Sequence, residues 1–133
     1  MISAVVTARN EAELIGRCLL SLKAQTLTPS EILLVDDGST DRTPLIASKM
    51  KVKVITVRHS NTYLSKREGL LRASQPLVVA VDGDTLLGKD WIRGAYGRLG
   101  SRVSLVTGHI RPLSDRPVDR LIADLQNSNP LYL

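Results

Sequence analysis

Two pairs of aspartates follow short apolar runs and are candidates for chemistry. Asp36 and Asp37 follow one run, and Asp82 and Asp84 follow another with Gly83 between them. If the pairs meet, their carboxylates repel each other and would repel a bare phosphate. A divalent cation removes this conflict, because Mg²⁺ or Mn²⁺ accepts carboxylate oxygens on one side and phosphate oxygens on the other. The spacing therefore favours a metal-assisted phosphate site, although an isolated acidic turn residue is usually only a solvated turn former.

The elements that must position these aspartates are predicted from an alternation of short apolar runs and helix-length amphipathic stretches. This alternation is typical of βαβ units and predicts a mainly parallel α/β sheet flanked by helices. Because parallel sheets bind ligands at the carboxyl ends of their strands, we expect both pairs at one edge. The continuous apolar run before Asp82 predicts a central, buried strand. The predicted strands cover residues 2–7, 32–35, 52–57, 77–81 and 103–107.

Helix signals lie between the predicted strands. Asn10 is predicted to cap the first helix, with Glu13 three residues later completing a capping box. Residues 61–74 and 90–99 predict two later helices. Cys18, the single cysteine, lies among the apolar residues of the first helix and is predicted to be buried. Since it cannot form an internal disulfide, it indicates a reducing, cytoplasmic compartment.

Length and composition bound the class of protein. The chain has 133 residues, 43% of them hydrophobic and 23% charged, which fits one globular domain. No apolar run approaches the roughly 20 residues that span a bilayer, and peripheral membrane association stays open. The net charge of +5 is scattered, and three tyrosines and one tryptophan offer little stacking surface. Sequence-specific binding of nucleic acid is therefore not expected.

Two common phosphate-binding motifs are absent from the sequence. Ala8, Arg9, Asn10 and Glu11 follow the first strand in place of the glycine-rich dinucleotide fingerprint, and no Walker-type phosphate loop occurs. Phosphates would have to be held by a metal, by side chains or by the amides of the turn at residues 38–39.

Residues 3–43, with the motif DDGSTD, and residues 77–91, with DGDT, resemble family 2 glycosyltransferases of the GT-A fold. The resemblance covers residues 1–112, so residues 113–133 are interpreted as a helical tail of the same domain. It implies a metal-dependent, inverting transfer of sugar from a nucleoside-diphosphate sugar, UDP by default, to an unknown acceptor.

The resemblance also implies roles for individual residues. Asp36 and Asp37 would hold the base or ribose, and Asp84, with Asp82, would ligate Mn²⁺ or Mg²⁺. For Glu13, a nucleotide contact and the cap role are both open, and Glu68 stands where the family has asparagine. The residues expected to bind the nucleotide sugar are Thr7, Ala8, Arg9, Glu11, Asp36, Asp37, Lys66, Arg67, Asp82, Gly83 and Asp84.

A general base is needed to deprotonate the acceptor hydroxyl. In the family, this base is a carboxylate that follows the strand ending in the Asp-x-Asp (DxD) motif, which is matched here by Asp82 and Asp84. The candidates by residue type are Asp115, Asp119 and Asp124, each of which could equally be a helix cap or a surface charge. His109 could face the sugar or form a polar strand end. Trp91 is expected to pack its helix on the sheet, with acceptor stacking as the alternative.

Two other functions compete with this interpretation. The run VVAVDGDTLL superficially resembles the haloacid-dehalogenase phosphatase motif, but Leu86 stands where that motif has threonine. The chain could also be a non-catalytic or partner-dependent module that binds nucleotide sugar. A homodimer could form through an apolar stripe in the tail, which could instead pack on its own sheet; the stripe contains Val118, Leu121, Ile122 and Leu125.

Overall fold

The computed structural model describes residues 1–58, 60–102, 104–108, 111 and 117. The chain divides into two compact units, Met1–Arg93 and Gly94–Leu133. The domain boundary predicted between residues 112 and 113 stays a prediction. The elements in chain order are β1 (Ile2–Ala8), α1 (Ile15–Lys23), β2 (Glu31–Asp37), α2 (Thr43–Lys49), β3 (Lys53–Val57), α3 (Thr62–Arg72), β4 (Leu77–Asp82) and α4 (Trp91–Tyr96).

The four strands form one parallel sheet in the order β3-β2-β1-β4. The predicted fold class, a mainly parallel α/β sheet flanked by helices, is confirmed. β1 lies in the interior of the sheet and is buried along its whole length. Because all strands are parallel, their carboxyl ends meet at one edge, which brings the ends of β1, β2 and β4 together.

Helices cover both faces of the sheet and produce three layers. Residues of α1 pack on one face in a core that also includes Ala4, Val6 and Leu34. The opposite face has a smaller core of Val5, Leu33, Val35 and Ile55. Side chains alternate between the faces along a strand, which explains why even and odd residues of β1 and β2 separate between the two cores.

Helix α3 lies against the second face at unusually close range. A Cβ atom added to Gly69 would meet the side chain of Val5 and would lie 2.9 Å from Cγ2 of Val35. The absence of a side chain at this position therefore lets the helix backbone rest directly on β1 and β2. The same helix carries Lys66 and Ser65 on the turn that precedes Gly69.

Three predictions about local structure are wrong. Asn10 does not cap α1: the helix begins after Leu14 without a side-chain cap, and Asn10 adopts a left-handed φ of +56°. β4 is an outer strand within the described sheet, and its residues are not buried throughout: Val81 is buried, while the others alternate between half-buried and exposed. The fifth strand fails because, of residues 103–107, those that the structure describes (104–107) belong to no strand.

Trp91 packs as the sequence predicts. Its half-buried side chain packs against the core that includes residues of α1 and the sheet. In the part of the chain that the structure describes, no helix has the length and apolar character required to cross a bilayer.

Cys18 provides a test of this core. Burial, reinforced by the charges of Asp84 and Asp82, raises the pKa of the thiol to about 12. Because the thiolate is the reactive form, alkylation of the folded protein at pH 8 should be slower than that of a free thiol by roughly three orders of magnitude. Iodoacetamide labelling followed by mass spectrometry would measure this rate. Labelling at the free-thiol rate without urea would contradict the described packing of α1.

Candidate active site

A cavity of about 380 Å³ lies at the carboxyl ends of the strands. The residues of β1 and β4 that line it continue into the loops after these strands, while α3 supplies another wall. Most of the residues predicted to bind a nucleotide sugar line this one cavity. Its lining residues are Thr7, Ala8, Arg9, Glu11, Asp37, Ser60, Asn61, Thr62, Ser65, Asp82, Gly83 and Asp84.

The ends of β1 and β4 are fixed to each other at Thr7. The hydroxyl of Thr7 donates to Oδ1 of Asp82 at 3.1 Å, and the carbonyl of Thr7 accepts the N–H of Gly83 at 2.8 Å. A Cβ atom added to Gly83 would lie only 2.8 Å from Cβ of Ala8. The glycine between the two aspartates is therefore required by the close approach of the β1 and β4 backbones.

Lys66 on α3 contacts the same aspartate. Its Nζ lies 2.8 Å from Oδ1 of Asp82, with the side chains 35% and 49% exposed respectively. An ion pair this exposed contributes little to stability, but it directs a positive charge to the rim of the cavity. Lys66 and the exposed Arg67 are not among the residues that line the cavity.

Asp37 anchors the start of α3. Its two carboxylate oxygens accept the N–H groups of Ser60 at 3.0 Å and Asn61 at 3.1 Å. The side chain of Asn61 then caps α3 by accepting the N–H groups of Tyr63 and Leu64. Asp37 therefore positions the α3 wall of the cavity, and its contact with a base or ribose stays a prediction.

Asp36 lies on the opposite face of the sheet from Asp37, as alternation along β2 requires. It pairs with Ala8 in the sheet register and is only 2% exposed. Its Oδ2 accepts the N–H of Ser39 at 3.4 Å, and Oδ1 has no hydrogen-bond partner among the described residues. The cavity lining does not include Asp36, so the structure separates the two members of the first predicted pair.

The motif after β2 holds the loop after β1. The hydroxyl of Ser39 accepts the N–H of Asn10 at 2.9 Å, and the Asn10 side-chain oxygen accepts the N–H of Thr40 at 2.8 Å. Further along the loop, the N–H of Glu11 donates to the Thr43 hydroxyl at 2.8 Å. The serine and threonines of DDGSTDRT therefore give the loop that carries Arg9 and Glu11 its shape.

Asp41 supplies another contact between these loops, accepting the N–H of Ala12 at 3.0 Å. Burial tends to raise the pKa of Asp41, but hydrogen bonds from Thr43 and Ala12 outweigh it and hold the pKa below its usual value. A carboxyl group with a lowered folded pKa contributes stability above its unfolded pKa and loses it as the pH falls through the folded value.

We expect Asp41→Ala to lower the free energy of unfolding by about 1 kcal/mol at neutral pH, since it removes hydrogen bonds at the start of α2. The difference from the parent should shrink below about pH 4, where the carboxyl group becomes protonated. Urea titrations of both proteins at pH 7 and pH 3 measure it, with Glu13→Ala as a control at an exposed carboxylate of the loop that Asp41 contacts. A difference that is equal at both pH values would contradict the assignment.

Negative charge is concentrated at the cavity. Burial raises the pKa of Glu11, and the nearby charges of Asp84, Asp41 and Asp82 raise it further. Within the described residues, no three or more His, Cys, Asp or Glu side chains form a group that could hold a metal ion. The carboxylates could therefore hold a divalent cation only as part of a shell completed by ligand or water oxygens, which is how proteins commonly bind Mg²⁺.

A larger cavity of about 550 Å³ lies beside the loop at residues 10–14, and Asp41 and Arg42 also line it. Glu13 lines this second cavity and not the one at the strand ends. Since none of the strand-end aspartates contributes to the larger cavity, we assign the candidate site to the smaller one.

The remaining candidates fall outside the described residues. These are the three aspartates considered as general bases, Asp115, Asp119 and Asp124, together with His109 and the apolar stripe of the tail. Their roles stay predictions.

Four polar residues that line the cavity at or just before the start of α3 were not predicted from the sequence, namely Ser60, Asn61, Thr62 and Ser65. A signal was present, because a helix was predicted from residue 61 and a parallel sheet places the loop after β3 at the same edge as the other strand ends. The prediction for this helix considered its basic residues and did not include the polar ones.

Comparison with known proteins identifies the family of this chain. Residues 3–126 match Glycosyl transferase family 2. The chain is 30% identical to glycosyltransferase AglE of Haloferax volcanii over 118 residues, which is 82% of this chain and 39% of AglE. It is 28% identical over 102 residues to the cholesterol galactosyltransferase of Borreliella burgdorferi, covering 73% of this chain and 28% of that protein.

Solved structures give the same result. S. aureus TarS 1-349 in complex with UDP-GlcNAc is similar with a TM-score of 0.66 and 27% identity, over 72% of this chain and 30% of that TarS chain. The fold also matches the Pyrobaculum calidifontis mannosyltransferase PcManGT, in complex with GDP-Man and Mn²⁺, with a TM-score of 0.74 and 22% identity over 92% of this chain and 37% of that one. The chain thus spans well under half of these proteins. A match over most of its length, on a GT-A-type sheet, shows that the chain belongs to glycosyl transferase family 2.

Proposed function

We propose that this chain binds a nucleoside-diphosphate sugar in the cavity at its strand ends and serves in metal-dependent, inverting transfer of the sugar to an acceptor. UDP is the proposed nucleotide. TarS, which is 27% identical to the chain, is described in complex with UDP-GlcNAc, and that resemblance supports the choice. The haloacid-dehalogenase alternative is set aside, since the chain belongs to a different family.

The observation that carries the proposal is the crowding of Glu11, Asp82 and Asp84 beside a cavity formed by three strand ends. Burial, and after it the charges of Asp84, Asp41 and Asp82, raise the pKa of Glu11, and this concentration of negative charge favours binding of a cation. A divalent cation with a diphosphate would supply that charge and fill the incomplete coordination shell.

The proposed metal ligands fit this role. Asp84 is exposed, and among the described residues both polar contacts of the Asp82 side chain use Oδ1 while Oδ2 has none. Mn²⁺ or Mg²⁺ bound there would act as a Lewis acid that stabilises negative charge on the leaving nucleoside diphosphate. Lys66 would add a further positive charge at the rim, and the α3 wall held by Asp37 would orient the nucleoside.

Titration calorimetry with UDP, GDP and dTDP, each with and without MnCl₂, tests the proposal. We expect saturable binding of one nucleotide that requires the metal, and heat stabilisation that grows with ligand concentration. Absence of binding for all three nucleotides with Mn²⁺ would reject the donor site.

Transfer and donor hydrolysis should be measured separately on the same protein. A module that binds nucleotide sugar without its own general base would bind the donor but transfer nothing unless a partner is added. Transfer to an acceptor by the chain alone would instead support a complete enzyme, for which Asp115 and Asp119 remain the proposed bases. The cytoplasmic location, the homodimer and peripheral membrane association are also predictions.

A further inference from the structure

Ser65 presents a buried hydroxyl group that no group in the described part of the chain satisfies. The residue is 1% exposed, and its Oγ has no hydrogen-bond partner among the described residues. It is also one of the residues that line the strand-end cavity. A buried hydroxyl without a partner is destabilising, and such groups are uncommon in folded proteins.

Features of helix α3 keep the Ser65 hydroxyl unpaired at this position. A helical serine often bonds to the carbonyl four residues earlier, which for Ser65 is that of Asn61, but the Oγ of Ser65 does not make this bond. The helix cannot turn the hydroxyl towards solvent, because Gly69 one turn later rests on Val5 and Val35. The hydroxyl is therefore held at the wall of the cavity.

Ser65 and the proposed metal ligands line the same cavity from different elements. Helix α3 packs on β1 and β2, where Asp37 anchors its first turn, whereas Asp82 ends the outer strand β4. If the diphosphate lies with Asp82 and Asp84, the part of the cavity beside Asp37 and Ser65 is left for the nucleoside.

We propose that the Ser65 hydroxyl is a specificity-determining contact that hydrogen-bonds a polar edge atom of the donor's nucleoside. This inference rests on the proposed function and adds to it a residue that chooses the ligand. A hydroxyl left unpaired in the free protein gains its partner only in the complex. The unpaired hydroxyl therefore lowers the stability of the free protein and contributes to recognition of the nucleoside. Such a trade-off between stability and function is a known property of binding sites.

Ser65→Ala tests this proposal with two readouts. Calorimetry with UDP and with GDP, both in MnCl₂, should show a dissociation constant about tenfold higher for the nucleotide that the parent prefers. The thermal midpoint should stay equal or rise, because the variant removes an unsatisfied group and favours the helix. Ser48→Ala, at an exposed serine of α2, is the matched control and should leave the dissociation constant unchanged.

A third readout locates the contact. If Ser65 touches the nucleoside, the loss of affinity should be of similar size for UMP without metal as for UDP with Mn²⁺, provided that UDP is preferred. Equal affinity of parent and variant for every nucleotide would overturn the inference while leaving the donor site standing. A lower thermal midpoint in the variant would show a structural role and overturn it as well. Failure of the parent itself to bind any nucleotide would reject the proposed function.

Discussion

Asp84→Ala is expected to abolish metal-dependent binding of nucleoside diphosphate and to leave the fold intact. The side chain of Asp84 is exposed, and its contact with a protein group is a hydrogen bond of 3.4 Å from the neighbouring Thr85 hydroxyl. Few native interactions are therefore lost on substitution. With at most two carboxylates available at the proposed metal position, removal of one should weaken binding at least 100-fold, which corresponds to about 2.7 kcal/mol. Calorimetry in saturating Mn²⁺ measures the loss.

The control for this variant is Asp90→Ala, which removes an exposed carboxylate from the same segment of the chain. It should bind the nucleotide like the parent. Circular dichroism and the thermal midpoint should be similar for both variants. Metal-dependent binding that survives in Asp84→Ala would show that the cation is held elsewhere, and the metal assignment would then be wrong.

The largest effect on stability is expected from Gly69→Ala. Alanine is the better helix former by about 1 kcal/mol, so propensity alone predicts stabilisation. The added methyl group would overlap the side chain of Val5 and crowd Val35 at 2.9 Å. Over-packing of this kind typically costs about 1–3 kcal/mol and here must also displace α3. We expect a net loss of roughly 2 kcal/mol and a thermal midpoint lower by roughly 5–10 °C.

Gly16→Ala is the control that distinguishes the effect of steric overlap from the effect of helix propensity. Gly16 lies in α1, where an added Cβ atom would be 3.7 Å from Cγ2 of Ile46, an ordinary contact distance. This variant should be as stable as the parent or more so. If Gly69→Ala were also stabilising, the close packing of α3 on the sheet would be refuted.

The sequence was sufficient to predict the parallel sheet and the edge at which its chemistry lies. Apolar runs such as 32–35 identify strands because burial on a pleated surface requires apolar side chains, and parallel strands bring their ends together. The cavity that joins Asp37 to Asp82 and Asp84 follows from that topology.

Long-range contacts explain what the sequence did not reveal. Asn10 has the composition of a helix cap, but its side chain bonds to Thr40, thirty positions away, and its backbone turns left-handed. The apolar run before Asp82 does not distinguish a central strand from an outer one. A local sequence pattern does not show which strands pair with the one that it predicts. The separation of Asp36 from Asp37 follows from alternation, which would have been predictable had β2 been extended to include both.

Some contacts between the loops after β1 and β2 join a backbone donor to a side-chain acceptor. At positions 11 and 12 the loop contributes only its amide hydrogens, and the matching acceptors come from Thr43 and Asp41. Any amino acid except proline can donate in this way, so the identity of residue 11 is not constrained by loop shape. Evolution can therefore exchange that side chain to suit a new ligand without rebuilding the scaffold that presents it.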